Sequence, residues 1–196
     1  MDDEHQASRE KLGHNSAPSG EAHWARYTKK QTYVRALEGT YGELTKELYS
    51  QPRVFHTAGE KWDGGPASYY KRIIAPESGI KITQAIECHI DVFVPGIVSK
   101  GTHGHMNSAC FYVLKGKGHD IHDGRRMDWE AGDCLIVETA CVHEHIAENL
   151  DDETIVLVMK AKPLFLFMHL LFQKVTKRPP GKAPPGQENY VPPTEI

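Results

Sequence analysis

The sequence contains no apolar run long enough to cross a membrane. Its longest, Leu164 to Phe172, is about half of the ~20 residues a spanning helix needs. No basic stretch followed by an apolar core opens the chain, so no secretory signal is expected. A basic excess is also missing: 23 Lys and Arg stand against 26 Asp and Glu, a formal charge of −3. That balance gives no electrostatic case for nucleic acid or an anionic membrane as partner. Cysteine is sparse, and Cys88, Cys110, Cys134 and Cys141 form neither a C-x-x-C pair nor a short secreted framework. They read as reduced thiols of a cytoplasmic protein. No internal repeat is found, and 196 residues suffice for one domain with a real core plus extensions.

Histidine is what the chain has in quantity, and it is clustered. His103-Gly104-His105 follows a Pro95-Gly96 turn, and His143-Glu144-His145 comes about forty residues later. The stretch between reads as hairpins: Phe111 to Leu114, a Gly116-Lys117-Gly118 turn, His119 to His122, then Asp123-Gly124, a dipeptide suited to a tight mirror-image turn. Residues two apart on a strand share a face, so His103 and His105 project together. A strand carrying His143 beside them would bring three imidazoles to one point, which is a transition-metal site. His119 and His122 are expected to be merely solvated.

Along the rest of the chain, residues 1–22 read as a flexible polar arm and 23–51 as a helical extension. In the latter, Trp24, Tyr27, Val34, Leu37, Tyr41, Leu44 and Leu48 fall at helical steps despite Gly39 and Gly42. Residues 52–162 form the β domain. Within it Ile80 to Val94 alternates, and the face with Ile82, Gln84, Ile86, Cys88, Ile90, Val92 and Val94 is expected to be buried. Glu87, His89 and Asp91 are then expected on the opposite face. Gln84 would point inward, either as a satisfied core amide or as a pocket lining. Thr154 to Lys162 is a further strand. Residues 163–196 hold an apolar segment, with Pro163 starting a short helix, and a Pro-rich extended tail. So apolar a segment must be covered, which suggests a homodimer or higher homo-oligomer. Many short strands with Gly-containing turns argue for an all-β barrel or sandwich.

The two His-bearing stretches, Gly96 to Gly118 and Gly132 to Asn149, resemble the two motifs of the cupin superfamily. The first offers a Gly, a His-x-His pair and a Gly-x-Gly turn. The second leads from Gly132-Asp133 through Cys134-Leu135-Ile136-Val137 to His143. Where the first motif usually carries Glu, this chain has Ala109; Glu138 and Ala140 replace the usual Pro and Gly. With Ala109 and the second His-x-His, the chain is similar to the gentisate dioxygenase-like branch, in which three histidines alone hold Fe(II). The resemblance implies a cupin-type double-stranded β-helix, a jelly-roll barrel, with His103, His105 and His143 as the metal ligands. It implies a dioxygenase of aromatic compound catabolism, cleaving a gentisate- or salicylate-like hydroxylated acid with O₂.

Ligand charge supports an anionic substrate. Three neutral imidazoles leave a divalent ion its full charge and leave coordination positions open. Such a substrate would gain from a guanidinium, and Arg53 and Arg72 are the candidates, with Gln84, Ala109 and Phe111 as further pocket residues. His145 shares a face with His143 and is the candidate acid–base group; capping a strand end or meeting a neighbouring subunit is the other reading. Imidazole also suits Zn, Ni, Mn and Cu, so a hydrolase or isomerase, or a non-catalytic ligand-binding module, stays open.

Overall fold

The computed structural model describes residues 54, 56–75 and 85–196. The arm and helical extension expected for residues 1–51 lie outside these, as do Arg53 and Gln84. After a single 3-10 turn, Thr57–Gly59, the elements run β1 (Asp63–Gly64), β2 (Ser68–Ile74), β3 (Glu87–Phe93), β4 (Gly96–His105), β5 (Ala109–Lys115) and β6 (Lys117–His122). There follow β7 (Arg125–Glu130), β8 (Cys134–Val137), β9 (Val142–Asn149), β10 (Thr154–Lys160), one helix α1 (Lys162–Phe167) and β11 (Gln173–Lys177). The fold is all-β. Two sheets face each other, one in the order β1-β2-β3-β10-β5-β8 and the other β11-β4-β9-β6-β7. Every pairing is antiparallel.

The interior is graded along the strands. At one end Phe93, Val98, Phe111, Val113, Trp129, Ala147 and Val156 form an apolar cluster. Each fully buried apolar side chain there is worth about 1.5–3 kcal/mol. Gly118 belongs to this end because nothing larger fits: a Cβ would lie 2.1 Å from the Ile146 carbonyl oxygen and 2.6 Å from the Trp129 ring. At the other end the same inward faces carry histidines and charged groups.

Two expectations need correction. Residues 111–122 do not form a hairpin, since β5 and β6 belong to different sheets and Gly116, at φ +91°, carries the chain from one to the other. The true hairpin is β6–β7, closed by Asp123 and Gly124 at φ +46° and +82°. The second correction concerns β3, which is buried on both faces. Ile90 and Val92 pack with Ile155 under Trp62, Ile73, Leu157 and Tyr190 on the outside of the sheet. Glu87, His89 and Asp91, expected to face water, are buried too, while Ile86 is half exposed.

Beyond residue 162 the chain returns to the barrel. Pro163 sits in the first turn of α1, and β11 adds an edge strand beside β4. Further on, Tyr190 packs against Tyr69, Trp62 Nε1 donates to the Pro193 carbonyl at 2.9 Å, and Lys71 Nζ donates to Thr194 O. Between these contacts Leu166, Phe167, Leu170 and Phe172 are exposed. Among the described residues no helix is long and apolar enough to cross a membrane.

Candidate metal centre

The graded barrel ends in a cavity of about 230 Å³ between the sheets, lined by His103, His105, His143 and His145 among others. Strand register explains the convergence. His103 lies directly opposite His143 across β4–β9, and His143 opposite His122 across β9–β6. One row of three imidazoles therefore crosses the sheet, with His105 one step along β4. One nitrogen from each of His103, His105 and His143 lies within 4.8 Å of the others. His143 Nδ1 donates to the Cys141 carbonyl at 3.1 Å and His105 Nδ1 to the Asn107 carbonyl at 2.6 Å. Each of these rings thus keeps Nε2 free as a ligand atom, and a metal-binding imidazole is ordinarily anchored this way.

Electrostatics agree. Burial, aided by His143 and His145, pushes the His103 pKa down to about 3. Burial and His145 push His143 down to about 4, and burial lowers His105. Imidazoles held neutral are the form that binds a cation. The donor set, three imidazole nitrogens and no carboxylate, fits one transition-metal ion.

His145 is buried beside this triad without belonging to it. Its ring stacks on Phe111 with centroids 4.6 Å apart and planes 14° apart. Its Nδ1 meets Asp120 Oδ2 at 2.5 Å, because Asp120 is its direct cross-strand partner. Asp120 also accepts from Trp129 Nε1 at 2.8 Å and contacts His122 Nε2 at 3.2 Å. Although burial alone would raise its pKa, His145 and these hydrogen bonds hold the Asp120 carboxyl below the usual range. His119 and His122 are buried, contrary to the expectation of solvated rings. His119 Nδ1 lies 3.1 Å from Glu148, and His122 is held between Asp120 and Glu138.

The remaining cavity wall combines apolar and charged groups. Ala109, Phe111, Val137, Val158 and Val175 line it together with His89, Asp91, Lys100 and Lys160. Ala109 and Phe111 are thus both part of the cavity wall. Arg72 is not brought to the cavity; its guanidinium lies over the Tyr70 ring on β2. The cations there are lysines that the sequence reading missed. Lys100 is ion-paired with Asp91, and Lys160 lies 3.3 Å from Glu87. Burial alone would raise the Asp91 pKa, yet Lys100 and His89 hold that carboxyl well below its usual range; burial lowers Lys160.

Lys100 reaches the cavity through a bulge. The β4–β9 register shifts between Ser99 and Thr102, where Gly101 sits at φ +78°. The extra residue reverses parity, so Ser99 and Thr102 both bond Glu144, while Lys100 and His103 line the cavity. A Cβ on residue 101 would lie 2.4 Å from the Lys177 carbonyl oxygen of the neighbouring β11 segment, so the bulge requires glycine.

Residues 89–159 match the family model described as a cupin domain. Among curated proteins no sequence matches. Solved structures with the same fold include salicylate 1,2-dioxygenase from Pseudaminobacter salicylatoxidans (18% identity, TM-score 0.51), covering 69% of this chain and 35% of that one. A mutant of that enzyme in complex with gentisate matches at 18% identity and TM-score 0.51 over 69% and 34% of the two chains. An oxalate decarboxylase matches at 16% identity and TM-score 0.53 over 65% and 33%. The match thus spans about a third of the length of each of these proteins. The match to a cupin domain model over residues 89–159, the two facing antiparallel sheets and the likeness to these solved structures converge on the fold: the β domain of this chain has an all-β, cupin-type architecture with a histidine cluster at one end of the barrel.

Proposed function

We propose that His103, His105 and His143 together bind one Fe(II) ion and that the protein is a dioxygenase cleaving a small hydroxylated aromatic acid, gentisate- or salicylate-like, with O₂. The observation that carries this reading is the composition of the cavity: three neutral imidazoles, Ala109 in place of an acidic ligand, and an apolar wall of Phe111, Val137 and Val158. Bound there, the ion would supply an undiminished double charge and open positions for substrate oxygens and dioxygen. The chain's own residues supply shape, field and proton handling. Phe111 and the valines offer a flat apolar surface to an aromatic ring and exclude water from it. At about 230 Å³ the cavity is smaller than the ~300–1,000 Å³ of drug-sized ligand sites, which suits a single ring. Lys100 and Lys160 balance Asp91 and Glu87, so an entering carboxylate meets a wall without net negative charge.

His145 is the proton carrier in this reading. Its Nδ1 is committed to Asp120, which leaves Nε2 for the cavity, where it takes or returns the phenolic proton as the substrate binds. His145→Ala is expected to keep its metal and bind substrate while losing kcat by about 10²-fold, the usual scale for an acid–base group. Metal loss equal to that of a His143 variant would make His145 a ligand, and an unchanged kcat would make it structural.

The function as a whole is tested by iron content and oxygen uptake. Protein purified without oxygen is expected to carry one iron per chain and to consume O₂ with at least one member of a hydroxybenzoate panel. Iron without uptake on any member would refute the dioxygenase and leave the metal site standing. A folded chain that takes up no transition metal would refute both.

A further inference from the structure

A second constellation of metal-ligating groups lies outside the three-histidine site. It joins the end of β6 to the loop between β8 and β9. Imidazole nitrogen of His122, carboxylate oxygen of Glu138 and thiol sulfur of Cys141 all lie within 4.8 Å of one another. His122 and Cys141 are buried, whereas Glu138 stands at the surface with a side chain 58% exposed. The arrangement therefore opens to solvent on the Glu138 side only.

The surroundings of His122 and Cys141 are those of a cation site. His122 Nε2 contacts Asp120 Oδ2 at 3.2 Å, which leaves Nδ1 directed at Glu138 Oε2, 2.9 Å away. A carboxylate behind one nitrogen with the other turned to the ligand side is the arrangement that orients metal-binding histidines. The Cys141 sulfur makes a weak 3.6 Å contact to the neighbouring Val142 carbonyl and faces the Glu138 carboxylate. The loop is fixed rather than free, with Ala140 at φ +64°, its N–H donating to the His105 carbonyl at 3.0 Å, and Cys141 N–H donating to Glu138 O.

We infer that His122, Glu138 and Cys141 form a second metal site, distinct from the three-histidine centre and selective for a borderline-soft divalent cation of the zinc type. One nitrogen, one oxygen and one sulfur ligand suit Zn(II) or Co(II), and the sulfur disfavours Mg(II) and Ca(II). Three protein ligands leave the fourth position of a tetrahedral ion to water at the exposed Glu138 side. On binding, the thiol proton passes to solvent, Nδ1 of His122 exchanges its contact with Glu138 for the ion, and Nε2 keeps Asp120. The two centres share structure but no ligand. Asp120 holds both His122 and His145, and the Cys141 carbonyl accepts from His143, so an ion on the Cys141 loop would also steady a ring of the first site.

The test uses the full chain, stripped by chelator and titrated with Co(II), whose thiolate charge-transfer absorption reports sulfur coordination. Wild type is expected to bind two equivalents, one of them with that band. His103→Ala is expected to bind one equivalent with the band intact, which separates this site from the first whatever reaction the first supports. Cys141→Ser should abolish the band. Glu138→Gln, at an exposed position where folding is not at stake, should weaken the band-forming event by about tenfold or more. No band in wild type, or a band that survives Cys141→Ser and so arises from Cys110 and Cys134, overturns the inference. So does an affinity unchanged in Glu138→Gln, which would leave His122 a plain ion-pair partner of two carboxylates.

Discussion

Alanine in place of His103, His105 or His143 is expected to abolish high-affinity metal binding at the three-histidine centre, a loss of one equivalent per chain, while leaving the barrel folded. Loss of an outer hydrogen-bond partner alone costs ~10–100-fold in metal affinity, and loss of a ligand costs more. Retention of the fold follows from the gradient inside the barrel. The apolar cluster around Phe93, Val98, Val113, Trp129 and Val156 contains none of the three histidines and needs no ion. The three rings are also disposed to stay neutral when no ion is bound, so the stripped site carries no mutual repulsion of charges. Elemental analysis and thermal melts of the three variants check both halves. Undiminished metal in all three variants would place the ion elsewhere; melting of the barrel in all three would make the cluster structural.

The histidine geometry was legible because strand parity is a local property. His103 and His105 share a face wherever their strand pairs, and a Gly-Asp leading through an apolar strand to His143 sets the return. Alternation was a weaker guide on β3, because it reports which side chains differ and not which side is covered. Glu87, His89 and Asp91 read as a solvent face, yet they meet Lys160 and Lys100 in the interior, and the outer face is covered by Trp62 and Tyr190. Tyr190 lies about a hundred residues away along the chain, so no local pattern announces it. Lys100 was missed because the bulge at Gly101 reverses parity between it and His103; a Gly in the middle of a strand was the available signal. Asp120 was missed because its role is set by pairing. Sequence places it between His119 and Ile121, and only the β6–β9 register brings it opposite His145.

The same registers sharpen what Ala109 does. Across one sheet it lies directly opposite Lys160 on β10 and Val137 on β8, and it lines the cavity of the three histidines. Directly opposed residues hold their Cβ atoms about 4.5–5.5 Å apart. A Glu at 109 would therefore have two cationic neighbours, the bound metal and the Lys160 ammonium, so its burial is compensated and the variant should fold. Either contact works against an anionic substrate, by lowering the charge of the site or by occupying a coordination position. Two unit charges ~4 Å apart interact by about 4 kcal/mol at an effective dielectric of ~20. Partial screening leaves an expected loss of about a hundredfold in kcat/KM, equivalent to about 2.7 kcal/mol. Ala109→Gln separates charge from bulk, because it has nearly the same volume and no charge. Ala109→Glu is expected to retain metal and lose turnover, with Ala109→Gln losing distinctly less. Equal losses would assign the effect to crowding, and wild-type turnover in Ala109→Glu would show that the absent carboxylate has no bearing on the reaction.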